Sequence, residues 1–221
     1  MMVCMGRADG TVGGAVATTS DTVRAALQII GKAKDAPLVS SFFIMALPEN
    51  HPSGRAAMIF GDSGLVIDPT SEELAAIAVT SAASCAQLLA IEPHVALLSF
   101  STMGSARHEK VTKVTDAVAL LKTHHPDLKA DGELQFDAAF VPSVAATKAP
   151  GSPVAGHANV MIFPNLDAGN IGYKIAQRIG GCEAIGPVLQ GLAKPANDLS
   201  RGCVAEDVTN MIAVTVLQAF A

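Results

Sequence analysis

The sequence predicts an α/β fold. Short apolar runs rich in Val, Ile, Leu or Phe alternate with longer stretches of helical period, and turn residues bound the runs. That alternation is the pattern of βα units built around a parallel sheet. The 221 residues are 50% hydrophobic and 16% charged, with a mean hydropathy of +0.39. A sizeable core is therefore available, and global disorder is excluded.

Taken in order, Gly10, Gly13 and Gly14 precede Thr18, Thr19 and Ser20, of which Thr19 or Ser20 is expected to cap a helix running through Ile30. Leu38 to Leu47 and Ala56 to Phe60 read as strands. Thr70, followed by Glu72 and Glu73, opens a second helix that turns Leu74, Ile77 and Ala78 inward. His94 to Phe100 is the next strand. Arg107 to His124 is a third helix, apolar at Val111, Val114, Ala117 and Leu121 and closed by His124 and His125, where positive charge suits the helix dipole. Asn159 to Phe163 is a strand, and Asp167 to Ile179 and Ala205 to Phe220 are the last helices. Pro37 and the Lys194-Pro195 step mark the best places for a boundary.

Fifteen Lys and Arg against twenty Asp and Glu give a net charge of -5, and no long basic block occurs. Nucleic acid is not the expected partner. No apolar segment is long enough to cross a bilayer, and Arg7, Asp9 and Gly10 interrupt any export signal. A cytoplasmic protein is the expectation. Cys4, Cys85, Cys182 and Cys203 lack C-x-x-C spacing and read as buried free thiols rather than disulfide or zinc partners. No metal site is expected, and the common nucleotide, zinc-protease and hydrolase signatures are absent.

Two stretches carry more. The glycines before Thr18, Thr19 and Ser20 allow close backbone approach to a ligand at a helix N-terminus, with Arg24 one turn inside as a bidentate cation. A tight turn with an N-cap explains the same residues. From Lys194 to Val208, a Ser-Arg pair followed by an acidic first helical turn offers a hydroxyl, a cation and a carboxylate. Glu206 and Asp207 also simply complement a helix dipole. A Ser-His-Asp triad is not supported, because no His lies near Ser200 in sequence.

GPVLQGLAKPANDLSRGC, Gly186 to Cys203, closely resembles the C-terminal signature of the phosphate acetyltransferases. Family-like blocks recur in order as ADGTVGGAVATTSDTVRAALQII, IDPTSEELAAIA, LLSFSTMGSA, DGELQFDAA and SPVAGHANVMIFPNLDAGNIGYKIAQR. The resemblance spans nearly the whole chain. It implies a two-domain, three-layer α/β sandwich with mostly parallel sheets, of isocitrate/isopropylmalate dehydrogenase-like architecture. Residues 1–34 and 197–221 would be the remnant of a discontinuous, incomplete CoA-side domain, with Met1 falling in a strand, and residues 35–196 a complete second domain.

The resemblance further implies reversible acetyl transfer between CoA and inorganic phosphate, with no metal, no bound cofactor and no acyl-enzyme, coenzyme A being a substrate. By motif, Asp207 is the general base toward the CoA thiol, Ser200 hydrogen-bonds the developing thiolate, and Arg201 holds the acyl phosphate. Arg24 and Arg178 match arginines that bind CoA or the phosphate-bearing substrate, and Thr18 and Thr19 match the polar helix start facing the cleft. Ala17 stands where many relatives carry His or another polar side chain. A homodimer is implied. The alternatives are a phosphate butyryltransferase, disfavoured by the DLSRG context, or a non-catalytic module like that appended to some malic enzymes, which usually loses the Ser200-Arg201-Gly202 context.

Overall fold

The computed structural model of the protein describes residues 1–220, so Ala221, the last residue of the expected discontinuous unit, lies outside the described residues. Its elements run β1 (Thr11–Gly14), α1 (Thr19–Ile29), β2 (Ser40–Ala46), β3 (Ala57–Gly61), α2 (Ser71–Leu89), β4 (Val95–Leu98), α3 (Glu109–His124) and β5 (Ala130–Leu134). There follow α4 (Phe136–Phe140), α5 (Pro142–Lys148), β6 (Val160–Ile162), α6 (Leu166–Arg178), β7 (Glu183–Gln190), β8 (Ala196–Leu199) and α7 (Ala205–Ala219). Six strands form one sheet in the order β5-β4-β6-β3-β2-β7, and β1 pairs in parallel with β8 in a second, two-stranded sheet. In the large sheet only β2 runs antiparallel to its neighbours, so the expected mostly parallel sheet is present.

The two-residue period of a strand sends alternate side chains to opposite faces. Phe42 and Ile44 of β2, Ile59 of β3, Val95 and Leu97 of β4 and Val160 and Ile162 of β6 enter one core with α2 and α3. Phe43, Met45, Met58, Phe60, Ala96, Leu98 and Met161 enter the other, beneath α4, α5 and α6. Strands β3, β4 and β6 are apolar along their length, and β2 from Phe42 onward, because both faces are covered. Helix α2 begins with reciprocal hydrogen bonds: Glu73 N donates to Thr70 Oγ1 at 3.2 Å, and Thr70 N donates to Glu73 Oε2 at 2.9 Å.

The small sheet is joined to the large one through the first core, which includes Leu199 of β8 and Met211 and Val214 of α7. A buried polar network reinforces the join. Leu189 N donates to Asn197 Oδ1 at 2.8 Å, Asn197 Nδ2 donates to Thr215 Oγ1 at 2.8 Å and to Gln218 Oε1 at 2.7 Å, and Gln218 Nε2 donates back to Leu189 O at 3.0 Å. These bonds lock β8 and α7 onto β7, one residue ahead of Asp198, Leu199 and Ser200.

Three expectations need correction. Residues 1–9 make turns and bends rather than a strand at Met1, tied by bonds such as Met5 N to Met1 O and Arg7 N to Met2 O. Thr18 caps α1, one residue earlier than expected, because its hydroxyl is the one that accepts from Asp21 N. All four thiols are free, but only Cys85 is buried, and Cys4 is exposed. Burial among apolar neighbours pushes the Cys85 thiol up to about 11.

Candidate active site

Strand β8 ends at Leu199 and delivers Ser200, Arg201 and Gly202 to a cleft of about 550 Å³. Ala17 and Thr19, from the start of α1, line the same cleft. Its far wall is Phe43, Ser63, Gly64, Asn170, Tyr173, Lys174, Gly186 and Pro187. The cleft thus lies beyond the carboxyl end of β3, where open α/β sheets place their ligands.

Each wall has a local cause. After β3, the buried carboxyl of Asp62 accepts from Ser41 N (2.9 Å), Gly64 N (2.8 Å), Leu65 N (3.0 Å), Val66 N (3.2 Å) and Ser41 Oγ. These bonds fix the turn that presents Ser63 and Gly64. Opposite, the pairing of β2 and β7 shifts register between Phe42 and Ile44, which turns Gly186 and Pro187 into the cleft beside Phe43. Gly186 is required there, since a Cβ would approach the Phe43 ring to 2.6 Å. Pro187 is tolerated because β7 is an edge strand.

Helix α6 adds Asn170, Tyr173 and Lys174, which share one face at helical spacing. Tyr173 stacks on Phe43 with centroids 4.0 Å apart. Lys174 Nζ donates to Asn170 Oδ1 at 2.6 Å and lies 5.3 Å from the Tyr173 ring centroid. Burial raises the Tyr173 phenol above its usual range, with the Arg178 charge acting the other way. Arg201 and Lys174 are the two cations among the cleft's lining residues.

Of the sequence-predicted residues, Ser200, Arg201 and Thr19 line this cleft together, as does Ala17. Ser200 Oγ accepts from Gly202 N at 3.3 Å, which leaves its proton free. Asp207, in the first turn of α7, accepts from Val204 N through Oδ2 at 2.8 Å and is not part of the lining. Arg178 is exposed at the end of α6 and also falls outside it. Arg24 lines a separate shallow groove with Ser20, Val23, Leu27, Gln28 and Leu65, and donates to Asp21 Oδ1 at 3.0 Å. Thr18 is spent as the α1 cap: it accepts from Asp21 N and donates to Asp21 Oδ2 at 2.7 Å. That bond, aided by Arg24, holds the Asp21 carboxyl below its usual range.

Sequence reasoning missed Ser63, Asn170, Tyr173 and Lys174. The last three were findable, because positions 170, 173 and 174 share a face of a helix that was expected. A larger cavity of about 960 Å³ runs between α1 and α7 along β1, lined by residues such as Val12, Ile29, Ile212 and Val216, and it lies away from Ser200 and Arg201.

A family model described as phosphate acetyl/butaryl transferase matches residues 1–216. The chain belongs to that family. It is 59% identical over 218 residues to a phosphate acetyltransferase of Paracoccus denitrificans, covering 99% of this chain and 69% of that protein. The crystal structure of a phosphotransacetylase from Streptococcus pyogenes superposes with a TM-score of 0.91 at 51% identity, over 99% of this chain and 65% of that one. The chain therefore spans about two thirds of the length of these relatives. A likeness of fold alone extends to a 4-hydroxythreonine-4-phosphate dehydrogenase from Klebsiella pneumoniae, with a TM-score of 0.59 at 10% identity, over 99% of this chain and 67% of that one.

Proposed function

We propose that this chain carries the reacting side of a phosphate acetyltransferase, which moves an acetyl group reversibly between CoA and inorganic phosphate. The observation that carries the reading is the meeting of Ser200 and Arg201 with Thr19 and Lys174 around one polar cleft, in a member of this family. Both substrates are anionic, and a chain of net charge -5 needs local cations to receive them.

Toward acetyl-CoA, the acetyl phosphate is held by Arg201, whose planar fork suits phosphoryl and carbonyl oxygens. Asp207 takes the proton from the CoA thiol, whose free pKa of roughly 8.5 leaves little thiolate at neutral pH. The sulfur attacks the acetyl carbonyl carbon, Ser200 donates a hydrogen bond to the developing thiolate, and the carbon–oxygen bond to phosphate breaks. Such general-base help is worth about 10²- to 10⁴-fold. No covalent enzyme intermediate is required. Arg24 and Arg178, on the surface beside the cleft walls, are assigned to the phosphate groups of CoA.

We further read residues 1–34 and 197–221 as one discontinuous unit and residues 35–196 as the other, in an isocitrate/isopropylmalate dehydrogenase-like architecture. The separate β1–β8 sheet and the likeness to a dehydrogenase fold support this. A homodimer fits the outer face of α6, where Ile171, Ile175 and Ile179 form an exposed apolar stripe and Ile179 is 84% exposed.

The test is thioester formation from CoA with acetyl phosphate and, separately, with butanoyl phosphate. Acetyl preference is the expected result. Equal catalytic efficiency on both would favour the butyryltransferase, and no thioester from either would favour the non-catalytic module.

A further inference from the structure

Among Thr18, Thr19 and Ser20 only Thr19 is a lining residue of the cleft, and its hydroxyl proton is already committed. Thr19 Oγ1 donates to Asp198 Oδ2 at 2.6 Å. A hydroxyl has one proton and two lone pairs, so a ligand meeting Thr19 finds lone pairs only. How firmly the proton is held depends on Asp198, which is 0% exposed and lies two residues before Ser200. Among the described residues its Oδ1 is buried with no hydrogen-bond partner and Thr19 is the only donor to Oδ2. Turning the hydroxyl toward the cleft would leave the whole carboxyl buried and unpaired, the most costly state for such a group. The neighbouring backbone is shaped to admit this carboxyl: Gly14 has φ +91°, and a Cβ there would run into Asp198 Oδ1.

We propose that Asp198 is a positioning residue that makes Thr19 an acceptor-only group in the cleft. Thr19 therefore engages a hydrogen-bond donor of the CoA arm, an amide N–H or the thiol S–H, and not the oxygens of the phosphate group. This rests on the acetyltransferase reading above. Polarity in the cleft is then divided. Arg201 and Lys174 supply donors and positive charge for phosphoryl oxygens, while Thr19 supplies lone pairs for the one substrate that carries N–H and S–H groups. A bare phosphate oxygen placed on Thr19 would set lone pairs against lone pairs. The helix start that looks from sequence like an anion site is, in its side chains, the reverse.

The experiment measures binding of CoA and of inorganic phosphate, each alone, to the full chain by titration calorimetry. Thr19→Ser should bind both as wild type does. Thr19→Val should weaken CoA about three- to tenfold, the worth of one ordinary hydrogen bond, and leave phosphate within about twofold. Because Thr19→Val also strips the buried Asp198 of its donor, the double variant Thr19→Val/Asp198→Leu is run beside it. Removing both partners for apolar groups of similar shape is nearly neutral for folding, and the same selective loss of CoA is expected. Weakened phosphate with unchanged CoA would overturn the proposal, as would equal loss of both ligands or no loss of either. A wild-type chain that binds neither ligand would overturn the acetyltransferase reading itself, whereas a wild type that binds CoA as tightly as the valine variants overturns only the role of Thr19.

Discussion

Asp62→Ala should be among the most destabilising single changes in this chain, although Asp62 touches no expected catalytic residue. Its buried carboxyl accepts five hydrogen bonds, from the backbone N–H groups of Ser41, Gly64, Leu65 and Val66 and from the Ser41 hydroxyl. At about 1 kcal/mol net for each bond, alanine loses roughly 5 kcal/mol. That is a large part of a typical margin of about 5–15 kcal/mol. Asp62→Asn keeps one acceptor oxygen and sets an amide N–H₂ against the donors on the other side, so it should lose roughly half as much. Urea denaturation followed by circular dichroism measures both. With a slope of about 2–3 kcal/mol/M, the alanine midpoint should fall by roughly 2 M. The turn after β3 also holds Ser63 and Gly64 at the cleft, so substrate affinity should fall in whatever fraction stays folded. An alanine variant within about 1 kcal/mol of wild type would refute the claim that this carboxyl organises the turn.

Three further outcomes follow from the same geometry. Arg201→Lys should lower turnover by roughly 10- to 150-fold, the worth of one charged hydrogen bond of about 1.5–3 kcal/mol, because an ammonium cannot reproduce a planar fork; full activity would mean that only charge matters. At pH 8 an aromatic disulfide reagent should modify exposed Cys4 quickly and leave Cys85 untouched. Burial holds the Cys85 thiol at about 11, so its thiolate stays scarce as pH rises until the core opens, and rapid labelling at Cys85 would contradict that placement. The proposed dimer predicts that wild type sediments as a dimer and that Ile175→Asp, in the exposed stripe of α6, sediments as a monomer with little loss of stability; a monomeric wild type would refute the dimer, and an unchanged dimer the α6 interface.

Which elements were legible in the sequence follows from how they are stabilised. Strands β2, β3, β4 and β6 were readable because apolar cover on both faces makes them continuous apolar runs. Strand β5 was not, since Ala130–Leu134 carries Asp131 and Glu133, both buried. Their partners come from elsewhere in the chain: Lys122 Nζ donates to Asp131 at 2.9 Å, and Ser101 Oγ and Gly104 N donate to Glu133 at 2.6 and 2.8 Å. No local pattern reports such a rescue. Strand β8 hides the same way, its buried Asn197 partnered by β7 and α7 and one oxygen of its buried Asp198 by Thr19, and β7 is disguised by Gly186 and Pro187.

The candidate site divides along similar lines. Ser200 and Arg201 were visible because one loop motif holds them together. The far wall draws on β2, the turn after β3, α6 and β7, and only the folded chain brings Ser63, Tyr173 and Lys174 opposite that loop. Thr19 was visible by position but not by polarity, because the carboxyl that accepts its hydrogen bond lies 179 residues away.

The most direct test of the central proposal, that this chain moves acetyl between CoA and phosphate with Asp207 as the base, is the turnover of Asp207→Asn in acetyl-CoA formation, measured beside wild type with CoA affinity determined separately. Asparagine keeps the size of the side chain and its ability to accept from Val204 N, which aspartate now does at 2.8 Å, but it cannot take the thiol proton. The account predicts a loss of about 10²- to 10⁴-fold in turnover with CoA affinity nearly unchanged. Near-wild-type turnover, or a loss confined to CoA affinity, would contradict it.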